Sequence, residues 1–281
     1  MSMSADVDLS TGAAALGVLA CRGGGAARFL QGQLSADLER LSVGGSTLAG
    51  FHNPQGRVIA LLAVLRSATD EFLAVLPREL ATGLAQTLGK FVFRAKVRIT
   101  DESATWRVHG VTGGKAQALA LSWGDRQISL RPPDAAPPPD AAAQAAWLRA
   151  DIHAGLPQIY AATSGHFVAQ MLNLDLLGAI AFDKGCYTGQ EVIARAHYRG
   201  RVKRRLQRWL HSGAVPLGPG DAARGPDGRS LIVVNAAPES DGQAILAVGT
   251  FGDANGGEVE PAAGDAPTVS GPLPLPYALP N

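Results

Sequence analysis

The stretch STLAGFHNPQGRVIALLAVLR (46–66) constrains the fold of this chain more than any other. Two runs rich in Leu, Val, Ile and Ala flank Asn-Pro-Gln-Gly. Proline presets its own φ and glycine supplies a positive φ, so these four residues are turn chemistry. The segment therefore predicts a β-hairpin, and DEFLAVLP, after a short polar break, predicts a third strand. Strands joined by tight turns pair antiparallel, whereas neighbours in a parallel sheet need long crossovers. Around the hairpin, GGGAARFLQGQLSADLERL (23–41) repeats apolar Phe29, Leu30, Leu34, Leu38 and Leu41 at helical steps. Its glycines do not form GxGxxG and read as a tight turn into that helix. PRELATGLAQTLGKFVF (77–93) is helical, with Pro77 suited to the first turn. KVRITDES and TWRVHGVTG continue as strands. The mixture predicts an α+β fold rather than a doubly wound parallel sheet.

RPPDAAPPPDAAA (131–143) reads as an exposed Pro/Ala connector. AAWLRADIHAGLPQIY opens a second ordered region. From about Val202, SLIVVNAAP, QAILAVGTFG and PLPLPYALP are short strand patterns between Gly/Pro turns, which predicts a small C-terminal β-barrel or sandwich. Over 281 residues, 46% hydrophobic, the chain has material for a sizeable core. Its net charge of +1 argues against coating nucleic acid with the whole surface. Cys21 and Cys186 are the only cysteines. They lie far apart with no CxxC, against both a disulfide framework and a structural zinc site. The N-terminus lacks a basic region and makes a poor signal peptide. No apolar run is long enough to span a bilayer. The expectation is a cytoplasmic protein.

The candidate site is KGCYTGQEVIARAHYRGRVKRRLQR (184–208), where eight basic residues face Glu191 alone. Cys186 lies between Gly185 and Gly189 just before a predicted helix, with Lys184 nearby. Cationic neighbours and a helix N-terminus both favour thiolate. From the residues alone, a reactive thiol and a buried structural one stay equally open. Glu191 and Arg195 are four apart on the helix, the spacing of a solvated ion pair. The run of Arg199, Arg201, Lys203, Arg204 and Arg205 either meets phosphates or is a strand whose alternate basic residues face solvent. Trp147, before a Gly-Leu-Pro turn, either stacks on a flat heterocycle or is a core residue.

Lys184–Glu191, KGCYTGQE, resembles the hallmark K-G-C-[YF]-x-G-Q-E of the YgfZ family, folate-binding relatives of the glycine cleavage T-protein. FLQGQLSADL (29–38), HNPQGRVI (52–59), GKFVFRAKVRI (89–99), 154–182 and LPYAL (275–279) match in the same order, so the resemblance covers almost the whole chain. It implies two intertwined α+β subdomains around a central cavity, closed by a C-terminal β-barrel. It divides the chain into a folate-binding region 1–201 (subdomains about 1–45 with 144–201, and 46–130), the connector 131–143 within it, and a barrel domain 202–281. It implies tetrahydrofolate as cofactor and a role in iron–sulfur cluster assembly or repair, and thereby in tRNA methylthiolation. The partners implied are iron–sulfur client enzymes, the radical enzyme that methylthiolates tRNA among them, and tRNA itself.

The resemblance makes Cys186 the functional cysteine, with Lys184 lowering its pKa. It places folate contacts at Trp147, His153, Gln190 and Glu191, and motif support at Gly185, Tyr187, Gly189 and Arg195. It leaves Arg199, Arg201, Lys203, Arg204 and Arg205 to a partner or RNA. Two positions depart from the family. A second folate-associated tryptophan of some relatives aligns with about Leu16. His153 stands where relatives carry the glutamate of I-E-A-G, and a neutral imidazole cannot mimic a carboxylate. The T-protein also carries carboxylates just after its hairpin turn, where this chain has Gly56-Arg57-Val58-Ile59-Ala60-Leu61. A proton-handling group cannot be Ala or Leu. Aminomethyl transfer is therefore not expected, and whether the chain catalyses any reaction stays open. The alternatives are a folate-dependent one-carbon transferase and a non-catalytic module docking tRNA or a partner.

Overall fold

The computed structural model describes residues 5–12, 15–112, 119–135, 140–200, 202–250 and 265–280. In chain order its elements begin with β1 (Ala5–Asp8), β2 (Leu16–Arg22), α1 (Ala26–Gln33), β3 (Ser46–His52), β4 (Val58–Ala68), β5 (Glu71–Pro77) and α2 (Arg78–Gly89). Then come β6 (Arg98–Asp101), β7 (Arg107–Thr112), β8 (Leu119–Trp123), β9 (Arg126–Arg131), α3 (Ala141–His153) and α4 (Gln190–Tyr198). The last strands are β10 (Arg204–His211), β11 (Ala222–Arg224), β12 (Ser230–Glu239), β13 (Gly242–Thr250) and β14 (Ser270–Leu273).

The hairpin forms as expected, β3 against β4, and β5 pairs with β4. These strands build an antiparallel sheet ordered β3-β4-β5-β2-β6. It is buried on both faces, and the period-2 alternation of its side chains divides them between two cores. Leu19, Cys21, Leu62, Val64 and Phe72 point to the side covered by α1 and α2. Val18, Ala20, Ala63, Leu65, Leu73 and Val75 point to a second sheet, ordered β1-β7-β9-β8. The expected division into 1–45 with 144–201, and 46–130, does not follow these sheets. β2 runs between β5 and β6, so residues before and after 45 share one sheet.

The third sheet, β11-β12-β13-β10-β14, closes on itself. A parallel bridge joins Arg224 of β11 to Thr268, just before β14, through Arg224 N–H to Pro267 O (2.8 Å) and Val269 N–H to Arg224 O (2.9 Å). A barrel so closed leaves few open edges. Trp209, Val233, Ile245, Ala247 and Val269 fill it. Leu206, Val234, Leu246 and Val248 lie in another core that holds Ile152, Ile159, Leu172, Tyr187 and Ile193 against the barrel.

Three local expectations differ. The helix expected to reach residue 41 ends at Gln33, because Leu34 turns extended (ψ 153°) and pairs with Phe51. Pro77 precedes α2 as its cap rather than entering the first turn. The connector is shorter than expected, since α3 begins at Ala141 behind Asp140, whose carboxylate accepts the N–H groups of Ala142 (2.9 Å) and Ala143 (3.1 Å). Part of the connector, 136–139, lies outside the described residues. No helix among the described residues is long and apolar enough to cross a membrane.

Candidate functional site

The motif loop 184–189 alternates between anchors and exposed residues. Lys184 is turned inward. Its ammonium donates to the carbonyls of Gln31, Leu34 and Ala36, each at 2.7 Å. These carbonyls lie in the last turn of α1 and just beyond it, where helices leave acceptors unpaired and favour a cation. The ammonium also lies 5.2 Å over the Tyr187 ring. Burial pulls its pKa down to about 8, while the carboxylates of Asp37 and Glu39 pull it up. An ammonium has three donors, and all three are taken. Lys184 is thus an anchor of the loop, with no donor left for a hydrogen bond to Cys186. Tyr187 is buried beside it, and its hydroxyl is pushed up to about 12 by desolvation. Cys186 between them is exposed and free, as is Gly185.

Gly189 locks the loop to the hairpin. It caps α4 with φ +82°, and a Cβ there would stand 2.5 Å from the Asn53 carbonyl and 3.1 Å from Gly56 Cα. At Gly56, φ +71°, an added Cβ would stand 3.0 Å from the Val192 side chain and 3.4 Å from the Gly189 carbonyl. Two turns far apart in sequence thus interlock backbone to backbone, which only glycine allows. Beneath them sits His52, 1% exposed, with both ring nitrogens buried and unpartnered and its ring 6.1 Å from that of Tyr187. Desolvation pulls its pKa down to about 4. Nothing in the hairpin sequence singled His52 out beyond its place beside the turn.

The rest of the segment divides. Gln190 opens α4, half-buried. Glu191 and Arg195 make an exposed ion pair at 3.5 Å, the solvated pair their spacing suggested. Phe182, half-buried, stacks on exposed His197 (3.8 Å between centroids), with exposed Tyr198 at the edge of both at the end of α4. Arg199 and Lys203 are exposed, Arg204 is half-buried, and Arg201 lies outside the described residues. Arg205 corrects its expected place among the partner or RNA contacts. It is 4% exposed, bidentate to Asp175 (2.9 and 3.0 Å), and donates to the Gln170 carbonyl at 3.1 Å. A closed barrel packed on a neighbouring core leaves β10 no fully solvated face.

Trp147 and His153 point apart along α3. His153 is half-exposed and reaches Glu239 Oε2 at 2.9 Å, where α3 meets the barrel. Trp147 is 4% exposed and faces the second sheet. The Arg126 guanidinium lies 4.2 Å over its ring, and Gly110 packs so close that a Cβ would come within 2.5 Å. The carboxylate beside Trp147 is Asp151, four residues on, which the sequence reading passed over. It accepts from Trp123 Nε1 (2.7 Å), Gln158 Nε2 (2.6 Å) and Arg126. Complete burial pushes its pKa up against the pull of Arg126. The i,i+4 spacing of Trp147 and Asp151 was the available signal.

Trp147 and Leu16, the two positions that the resemblance associates with folate, line one cavity with Gln144, Leu148 and Gln158. Its volume is about 10 Å³, room for roughly one water, against roughly 300 Å³ or more for a small-molecule site. In this arrangement these residues do not fit a folate. Trp147 Nε1 is buried without a protein partner, but the ring face is taken by Arg126 and both Asp151 oxygens are engaged.

No family model matches the chain. An uncharacterized protein of Haemophilus influenzae is 32% identical over 190 residues, covering 66% of this chain and 67% of that one. The tRNA-modifying protein YgfZ of Edwardsiella ictaluri is 33% identical over 294 aligned positions, covering 89% of this chain and 86% of that one. Among solved structures, the glycine cleavage system aminomethyltransferase T of Bartonella henselae superposes with a TM-score of 0.63 at 15% identity, over 88% of this chain and 78% of that one. That likeness gives the fold, a T-protein-like α+β assembly with a C-terminal barrel. The sequence relationship, spread over nearly the full length of both proteins, gives the family: this chain belongs to the YgfZ family.

Proposed function

We propose that this protein supports tRNA modification by presenting the Cys186 thiol to a partner, an iron–sulfur enzyme that modifies tRNA or is needed for it. One observation carries the reading. The loop holds one exposed cysteine in place with a half-buried lysine making three hydrogen bonds, a buried tyrosine and a left-handed glycine. The other cysteine, Cys21, is buried in the core, and desolvation pushes its thiol up to about 12. An exposed thiol on a fixed loop is able to ligate iron or attack an electrophilic sulfur once deprotonated. The related YgfZ of Edwardsiella carries the description "tRNA-modifying protein", which favours RNA modification as the process served.

Tetrahydrofolate is the cofactor the family resemblance implies. The cavity beside Trp147 does not accommodate it as arranged, so no step is routed through it. Aminomethyl transfer finds no support at the hairpin either. Ala60 and Leu61 are buried apolar residues of β4, and no carboxylate stands there.

The test is replacement of Cys186 by serine in a host that lacks its own relative. Exposed and making no contact that holds the fold, the residue should change the melting temperature little, within about ±0.5 kcal/mol of stability. Methylthiolated tRNA, measured by mass spectrometry, should fall to the level of the empty host. Full restoration of the modification by Cys186→Ser would sink the reading.

A further inference from the structure

We propose that the segment 90–98 is a docking surface for single-stranded RNA. The sequence KFVFRAKVR links α2 to β6. It carries four cations, Lys90, Arg94, Lys96 and Arg98, and no acidic residue. All four are exposed, and none makes an ion pair among the described residues. Between them stand two exposed aromatic side chains, Phe93 at 86%, the most exposed large apolar side chain of the described residues, and Phe91 at 50%. The segment is nevertheless fixed. Val92, Ala95 and Val97 pack against the core under α1, and the Lys96 carbonyl lies so close to Gly23 that a Cβ there would be 2.0 Å away. Alternation around these anchors leaves the two rings and the cations facing out, with Arg94 5.4 Å over the Phe93 ring.

Flat rings interleaved with unpaired cations match a strand whose bases stack while its phosphates are neutralised. A bilayer surface is served less well, because two rings on a loop offer a small apolar area and no amphipathic helix carries them. Of the acidic residues around it, Glu71 and Glu102 are paired with Arg22. Asp101 is held by Thr82 and Ser103, and Asp70 lies against Gly24 at the foot of the loop. The surface also has a direction. Segment 90–98 packs on the start of α1 and Lys184 on its end, with exposed Arg28 between. An eight-residue helix spans about 12 Å. RNA on this surface would lie across one short helix from the Cys186 loop.

The inference goes beyond the thiol reading and does not rest on it. The probe is a fluorescein-labelled single-stranded 12-nucleotide RNA of mixed sequence, followed by anisotropy at several salt concentrations. Phe91→Ser with Phe93→Ser should weaken binding about tenfold or more, as loss of one or two stacked bases does. Replacing the four cations by glutamine should flatten the log–log salt slope by about 3, near 0.7 per lost phosphate contact. A blunt duplex of the same sequence should bind more weakly, since its base faces are covered. Cys186→Ser should bind as wild type does, so that failure here and failure of the thiol reading are told apart. Binding untouched by the phenylalanine pair would overturn the proposal. So would equal affinity for the duplex, or phenylalanine-dependent sedimentation with phosphatidylglycerol vesicles in place of RNA binding.

Discussion

His52 lies under the motif loop with both nitrogens unpartnered, boxed by Gly50, Gly189 and the Tyr187 ring. Its folded pKa of about 4 is well below the ordinary histidine value of about 6.5. Between those two values the unfolded chain binds a proton that the folded chain refuses. The contribution to stability is therefore complete above about pH 6.5 and lost as pH falls toward 4. Going from pH 7 to pH 5 should cost about 2 kcal/mol through this residue alone. Urea unfolding of wild type and His52→Phe at the two pH values checks it. The variant should lack that increment, and identical pH dependence in both proteins would rule it out. The sequence showed His52 only as a neighbour of a turn. Its burial is made by Gly50 from its own strand and Gly189 from far along the chain, and a hairpin pattern carries no trace of the second.

The elements were legible where local chemistry decides and illegible where distant chain does. The β3–β4 hairpin followed from Asn-Pro-Gln-Gly and two β-rich flanks, because a four-residue turn folds its two flanks back onto each other. α1 was read eight residues too long, since Leu34, Leu38 and Leu41 keep helical spacing after the helix has ended. What ends it is tertiary: Ser35 donates from its hydroxyl to the Ala179 carbonyl, and Leu34 bridges to Phe51. Lys184 then closes that end from outside. Lys184→Met would keep the aliphatic stem but leave three carbonyls without their donor. Each hydrogen bond to a charged group is worth about 1.5–3 kcal/mol net, offset by renewed solvent access and by relief of the buried charge. The expected loss is about 3 kcal/mol in denaturant unfolding.

Across the whole molecule, the barrel is stitched to the rest by buried polar contacts that cross long separations. Asn235 of β12 uses its side-chain amide like a strand backbone, accepting from Gln158 N–H (3.0 Å) and donating to the Gln158 carbonyl (3.1 Å). Tyr277 donates to the Gly155 carbonyl at 2.8 Å, Asn173 donates to the Leu206 carbonyl at 2.9 Å, and Arg205 pairs with Asp175. These contacts sit above a shared apolar core, so the barrel has no separate interior on that side. Composition marked the barrel as a separate module because its strands are short and its turns rich in Gly and Pro. The seam itself could not be read, because Asn235, Asn173 and Arg205 look like surface residues until their partners are known. A barrel coupled in this way should not melt alone. Calorimetry should give one peak, with tryptophan fluorescence, which reports Trp209 in the barrel and Trp123 and Trp147 outside it, following the same transition. Asn235→Ala strands the backbone N–H and C=O of buried Gln158 and should lower stability by about 2–4 kcal/mol, moving the whole transition down. An early barrel transition in the wild-type protein would mean that the two parts are docked rather than fused. An Asn235→Ala protein that splits into two transitions would locate the coupling in that one amide.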